Sequence, residues 1–398
     1  MAGNVSQLIR SNDGNSTRFD SCELMRQESP TESVYLFSAS SLRERSRRFQ
    51  LGFPGAVSYA VKANPEARVI KGLLDQGIRH FDVASLGEIE SITDLCPQAT
   101  LHFNNPVKAT KAVDVAYHRF GVKSFALDEM SEFDKIREAT DSASDITYSV
   151  RFKLEHGSAS YDFGSKFGTN PEVAAKILRA VAALGARPAL TFHPGSQCTD
   201  PAMYSRYVEA AAKIVADSGV SIVQLNVGGG FPEQYANAQV PDLEVYFDTI
   251  RRATEKYFSV APPLMCEPGR AMVASSVSLL TRVIHVREDA CTLFINDGVY
   301  GGMLEQSLVD IQLPVIAWRA GDKIPGGDCT YQVFGQTCDP VDSLQGKLQL
   351  PVGMQVGDYL EFGLLGAYGS ATATGFNGFG ATGYVNVERG FECPPRAW

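Results

Sequence analysis

The 398-residue chain is short of the features that would assign it to several large classes of protein. Its eight cysteines (22, 96, 198, 266, 291, 329, 338 and 393) are scattered without CxxC spacing, so no metal site is expected and the thiols are expected to be free in a reducing, cytoplasmic setting. No Lys/Arg-rich block interrupts a chain of net charge −9 and pI near 5.3, which argues against a nucleic-acid partner. No apolar run approaches the roughly 20 residues of a membrane span. The first residues, MAGNVSQLIRSNDGNSTRFD, lack the apolar core of a signal peptide, so no membrane partner is expected. What remains is 44% hydrophobic and 20% charged, enough to bury a sizeable core and long enough for two domains. Small-molecule chemistry is the default for such a chain.

Residues 1–33 read as a polar arm rich in Ser, Asn and Asp, loosely ordered. Order is expected to begin at SVYLFSASSLRERSRRF, where an apolar run at Val34 to Phe37 precedes a serine cap candidate and a charged helix. From there to residue 274, short β-type runs alternate with helical ones. The runs are AVSYAVK, HFDVAS, TLHFNN, SFALD, ITYSVRF, ALTFHPG, VQLNVGGG and PLMCEPGR. Helices are expected at PEVAAKILRAVAALG and YSRYVEAAAKIVADSG, where apolar residues recur at three- and four-residue spacing. Eight such units predict an α/β fold, a (β/α)8 TIM-type barrel over 34–274, with an open doubly wound sheet as the alternative. From 275 to 398, β-runs separated by Gly/Pro/Asp turns predict an antiparallel C-terminal β-domain, one that the segment around 34–40 is expected to join.

A barrel gathers its chemistry at the carboxyl ends of its strands. Lys62, Asp82, Asn104, Asp128, Arg151, His193, Gly228 to Gly230 and Glu267 all fall there. A lysine such as Lys62 in VSYAVKANP is ordinarily solvated surface, and a triple glycine is ordinarily a turn. Their company changes the reading. In NVGGGFP, backbone N–H groups can approach an oxyanion closely, and EPGR adds Arg270 and HPGSQ adds Ser196, matching the phosphate site that barrels build after strands seven and eight. A phosphate-bearing cofactor there would face Lys62 across the barrel mouth. Pyridoxal phosphate is the cofactor that forms an imine with a lysine and needs a carboxylate to keep its ring nitrogen protonated; Glu267 is placed for the second task, and His193 for stacking on the ring.

The segments YAVKANP, FDVASLGEIE, HPGSQCTD, NVGGGFP, CEPGR, NDGVYGG, GQTCDPVD and LLGAYGSATATGFNGF occur in an order that resembles the fold-type III pyridoxal-phosphate decarboxylases, the ornithine/lysine/diaminopimelate/arginine decarboxylase family, over residues 34 to 380. The resemblance implies a barrel plus β-domain and a head-to-tail homodimer with shared active sites. By motif match, Lys62 looks like the imine lysine, Glu267 like the pyridine-nitrogen partner and His193 like the ring-stacking residue. Ser196, Gly229, Gly230, Gly269, Arg270 and Tyr368 resemble phosphate or cofactor contacts, with Asp82 and Arg151 in support. Cys338 resembles the cysteine that acts from the partner subunit, and Asp339 the acid that meets the substrate's distal amine. Tyr300 and Phe376 are expected to line the substrate.

GQTCDPVD, GFNGF and HPGSQCTD look most like ornithine decarboxylases, implying conversion of L-ornithine to putrescine in polyamine biosynthesis, with L-lysine or diaminopimelate as alternatives. Asn226 stands where an aspartate is common and Pro194 where a small apolar residue is common. After NDGVYGG, Glu305 and Asp310 are both candidates for the second acid at the distal amine. Two other readings are a racemase, against which Glu267 argues because racemases of this fold pair the pyridine nitrogen with arginine, and a catalytically silent homologue that binds a partner protein.

Overall fold

A computed structural model describes residues 17–154, 166–288, 291–326 and 328–392. Cys393 and the first half of the expected polar arm lie outside the described residues. The chain forms two compact units, one of residues 45–233 with 239–272, the other of residues up to 44 with 234–238 and from 273 onward.

The first unit is a closed barrel of eight parallel strands, which decides against an open sheet. In order they are Ala56–Ala60, His80–Val83, Thr100–Phe103, Ser124–Leu127, Thr147–Arg151, Arg187–Thr191, Leu225–Asn226 and Leu264–Cys266. The last pairs with the first through Met265 and Ala56, and through Cys266 and Val57. Strands covered on both faces read as apolar runs, and Phe125, Ala126 and Leu127 are all buried. Both expected helices form. Pro171–Ala183 starts at Asn170, whose side chain accepts from the Val173 N–H at 2.9 Å, and buries Ala174, Ile177, Leu178 and Val181 along one stripe. Ala202–Ser218 stops at Gly219, which takes the left-handed conformation. The seventh strand is only two residues long, because Gly228 and Gly230 have φ of +68° and +88° and leave the extended region at once.

The second unit holds a ten-stranded sheet among the described residues. Its spine, Val277–Val286, pairs antiparallel with Tyr359–Phe362, Val34–Ser38 and Thr292–Ile295. The expected antiparallel character is therefore carried by the spine. Parallel pairings are added where Tyr384–Val387 joins Val34–Ser38 and where Asp328–Phe334 joins Thr292–Ile295.

Two boundaries move from their expected places. Val34–Ser38 is hydrogen-bonded to the spine, so the segment around 34–40 joins the β-unit, and the barrel unit begins at residue 45 rather than 34. The segment 234–238 joins the same unit, its Ala236 N–H donating to the Gln312 carbonyl at 2.9 Å. Nor are residues 17–33 a loose arm. Thr17–Arg18 is a strand and Ser21–Glu28 a helix, capped by Asp20, whose carboxylate accepts from the Glu23 N–H at 2.9 Å. Leu24 and Met25 are buried with Val34, Leu36, Leu280, Tyr359 and Val387. At roughly 25 cal/mol per Å² of apolar surface, burying two such side chains stabilises by a few kcal/mol, enough to order so short a helix.

Candidate active site

The barrel unit gathers one set of candidate residues. The first strand runs into a single 3-10 turn, Val61–Ala63, closed by the Asn64 N–H on the Val61 carbonyl. Tyr59 donates its hydroxyl to the Asn64 carbonyl at 3.1 Å, and the Asn64 side chain accepts from the Glu66 N–H at 3.1 Å. These bonds explain the breaker pair Asn64-Pro65 after the lysine: they fix the turn that carries Lys62. Its ammonium lies 3.9 Å from the buried Asp82 carboxylate, with the side chain 48% exposed. Burial pushes the Asp82 carboxyl up, and the charges of Lys62 and Arg151 pull it back. Behind Asp82, Ser85 caps the next helix: its hydroxyl accepts from the Glu88 N–H while the Glu88 carboxylate takes the Ala84 N–H at 2.6 Å.

Glu267 follows the eighth strand. Asn104 and Asn226, from the third and seventh strands, both donate their carboxamide N–H to its Oε1. The Asn226 carbonyl oxygen in turn accepts from the Gly228 N–H at 2.9 Å, tying the carboxyl to the glycine loop. Burial, reinforced by the Asp82 charge, raises the Glu267 carboxyl to about 8. With Oε1 accepting two donors, Oε2 is the atom at which the proton resides. His193 is held well below its ordinary value by burial and by the charges of Arg151 and Lys62. The Gly195 N–H donates to its Nδ1 at 3.1 Å, so the neutral ring carries its hydrogen on Nε2.

The glycine loop is built for close approach. A Cβ on Gly228 would lie 2.1 Å from the Phe192 carbonyl oxygen, on Gly229 2.6 Å from that of Glu267, and on Gly230 2.4 Å from that of Gly195. Any side chain would force the loops carrying His193, Ser196 and Glu267 apart. Gly269 packs against Ala63, where an added Cβ would meet the alanine Cβ at 3.0 Å. Buried Arg270 donates to the Ser196 hydroxyl at 3.4 Å. A buried guanidinium, a hydroxyl, a side-chain-free loop, a proton-bearing carboxyl and a lysine together suit an anionic phosphate joined to a basic ring and an aldehyde. The residues fit pyridoxal phosphate. Asp128, also at a strand end, is spent elsewhere, accepting from the Gly168 N–H at 2.8 Å.

The β-unit holds the other set. Tyr300 and Phe376 pack with ring centroids 4.5 Å apart, and the Tyr300 hydroxyl donates to Asp339 Oδ2 at 2.6 Å. That hydroxyl and the Val341 N–H hold the Asp339 carboxyl below its ordinary value, so it is an anion at neutral pH. The exposed Cys338 thiol donates to Asn377 Oδ1 at 3.4 Å, and the Cys338 N–H reaches the same oxygen at 3.3 Å. Asn377 itself is left-handed, with φ +54°. Tyr368 is also left-handed, with φ +57°, and its carbonyl accepts from the Thr372 hydroxyl. Asp310 is exposed and is engaged by the Asn237 carboxamide, while Glu305 lies in the first turn of the short helix Leu304–Leu308. Three asparagines hold functional groups without a motif to mark them: Asn104, Asn226 and Asn377. The available signal is position: Asn104 follows the third barrel strand, and Asn226 ends the seventh, which pairs with the eighth leading to Glu267.

The sequence pattern of the pyridoxal-binding domain of the pyridoxal-dependent decarboxylases matches residues 39–274, and the chain belongs to that family of pyridoxal-phosphate enzymes. It is 31% identical to a lysine/ornithine decarboxylase of Selenomonas ruminantium over 330 residues, 81% of either chain. A lysine/ornithine decarboxylase of Vibrio vulnificus solved with putrescine superposes with a TM-score of 0.80 at 25% identity, covering 97% of this chain and 99% of the other. The chain is also 29% identical to antizyme inhibitor 2 of Xenopus laevis over 393 residues, 90% of this chain and 82% of that one. Among the described residues no helix is long and apolar enough to cross a membrane.

Proposed function

We propose that the protein decarboxylates L-ornithine to putrescine, as a homodimer in the cytoplasm that supplies polyamine biosynthesis. Bound at the barrel mouth, pyridoxal phosphate supplies an electron-accepting ring for the electron pair left on the α-carbon when CO2 departs. Lys62 carries the cofactor. Arg270, Ser196 and the N–H groups of Gly229 and Gly230 hold its phosphate, with Gly269 allowing the close approach and Tyr368 adding a further contact. Glu267 keeps a proton at Oε2 for the ring nitrogen, and Asn104 and Asn226 fix that carboxyl. His193, neutral, offers a flat face to the ring without adding a charge that would oppose the pyridinium. Asp82, with Arg151 nearby, balances the charge of Lys62 beside the neutral Glu267.

The substrate's far end is assigned to the β-unit. Asp339 receives the distal ammonium, with Tyr300 and Phe376 flanking the aliphatic stem and Glu305 or Asp310 as second acid. Cys338 returns a proton to the α-carbon, its thiol held by Asn377. In a two-fold dimer these groups would serve the barrel of the opposite subunit.

The observation that carries the reading is the pairing of an anionic Asp339 with an adjacent thiol and an aromatic pair, a set that suits an aliphatic chain ending in an ammonium. L-Lysine is the second reading, favoured by two relatives whose names couple lysine with ornithine. The antizyme inhibitor relative keeps a silent homologue in view, against which Lys62, Glu267 and Cys338 speak. Release of CO2 from ornithine, lysine, arginine and diaminopimelate, measured in parallel, is the test. The greatest kcat/KM is expected for ornithine. Faster lysine turnover would move the assignment to the longer diamine, and no release from any substrate by cofactor-loaded protein would refute both.

A further inference from the structure

Two cysteines distant in sequence meet at one edge of the β-unit. Thr292–Ile295 and Asp328–Phe334 are parallel neighbours, with Thr292 opposite Gln332 and Leu293 opposite Val333. Parallel strands begin at the same end of a sheet, and Cys291 and Cys329 stand at those beginnings. Side chains alternate along a strand, so Cys291 shares a face with buried Leu293 and Ile295, and Cys329 with buried Tyr331 and Val333. Cys329 thus lies toward the covered side, while exposed Cys291, just before its strand, stands at the rim. Their sulfurs lie 4.0 Å apart. The Gln332 N–H donates to the Cys291 carbonyl at 2.9 Å, so the backbone at Cys291 is already fixed to the neighbouring strand. Register places Tyr331 opposite Cys291 and Cys329 two residues before it, so closing the gap to the roughly 2.05 Å of a disulfide takes a shift of backbone at the strand ends as well as side-chain rotation. Cys291 is exposed and Cys329 half-buried, so oxidants reach the first more readily.

We propose that Cys291 and Cys329 are a modification site, a dithiol that a small-molecule disulfide such as glutathione disulfide converts to an intrachain disulfide. The Cys291 thiolate attacks one oxidant sulfur, breaking its S–S bond and releasing one thiolate. The Cys329 thiolate then attacks the Cys291 sulfur and releases the second. The protein pair loses two electrons, the oxidant gains them, and the two protons end on the released thiols. The bond closes a loop of 38 residues' separation that carries Tyr300 and the helix Leu304–Leu308. Closing a long loop restricts the unfolded chain, so the oxidised protein melts at a higher temperature.

The test uses the full chain, treated with glutathione disulfide, alkylated and digested without reduction. Trypsin alone leaves Cys329 and Cys338 on one peptide, so chymotrypsin is added to cut at Tyr331 and Phe334. A Cys291–Cys329 linked peptide is expected, lost on reduction. Cys329→Ser should stop at a single glutathione adduct on Cys291, and Cys291→Ser with Cys329→Ser should abolish the oxidant-induced rise in Tm. Separate adducts on both cysteines, or both thiols still open to alkylation after Cys338 has reacted, would overturn the proposal. A linked peptide with no rise in Tm would overturn its stabilising consequence.

Discussion

Replacing Glu267 by glutamine isolates the buried proton on which the barrel site depends. Glutamine is isosteric and keeps the oxygen that accepts from Asn104 and Asn226, so it removes the titration without unpairing either carboxamide. The carboxyl, ordinarily near 4.5, is raised to about 8 in the folded chain, mainly by burial and then by Asp82. Across that window the folded state binds more protons at this group than the unfolded state, so its contribution to stability is complete at low pH and is lost as pH rises through about 8. Of this loss, on the order of 2 kcal/mol falls between about pH 6 and about pH 9. Cofactor-free wild type should therefore become easier to unfold by urea over that range, and Glu267→Gln should lose most of the slope. Intrinsic fluorescence of Trp318 and other aromatics reports the unfolding. Parallel pH profiles for the two proteins would refute the assignment of a buried, protonated carboxyl to residue 267.

Lys62→Ala should abolish the visible absorbance of lysine-bound cofactor in the purified protein and reduce turnover severely; unchanged absorbance would remove Lys62 from its role. Glu267→Ala should retain cofactor but lose about a hundredfold in decarboxylation rate, roughly 3 kcal/mol, as expected for removing an electrostatic partner, and near wild-type turnover would exclude that role. Asp339→Asn should lower kcat/KM for the diamino acid by roughly 10- to 100-fold, the range for a charge-assisted hydrogen bond of about 1.5 to 3 kcal/mol, while leaving cofactor absorbance intact. Mixing inactive Lys62→Ala with inactive Cys338→Ala should restore roughly a quarter of wild-type activity, since random exchange makes about half the dimers mixed and each mixed dimer has one intact site. No recovery after demonstrated subunit exchange would show that the sites are not shared.

How much of this was legible in the sequence depends on the range over which each feature is encoded. Barrel strands such as SFALD are legible because burial on both faces writes itself into four consecutive residues, and the helix at 171–183 because its buried face repeats at three and four. The helix Ser21–Glu28 is hidden because polar residues dominate it and only Leu24 and Met25 anchor it to a core that joins nearby Val34 and Leu36 to the distant Leu280, Tyr359 and Val387. Lys62 and Glu267 stand out through their motifs, whereas Asn104 and Asn226 look like ordinary turn residues until closure of the barrel directs both carboxamides onto one oxygen. Cys291 and Cys329 follow the same logic without a motif. Their proximity follows from the parallel pairing of their two strands and the reach of their side chains across a two-residue offset, and a spacing rule that looks only along the chain passes over them. Chemistry encoded by single residues at strand ends can thus be read one position at a time, but chemistry made by pairs waits on the pairing of the strands that carry them.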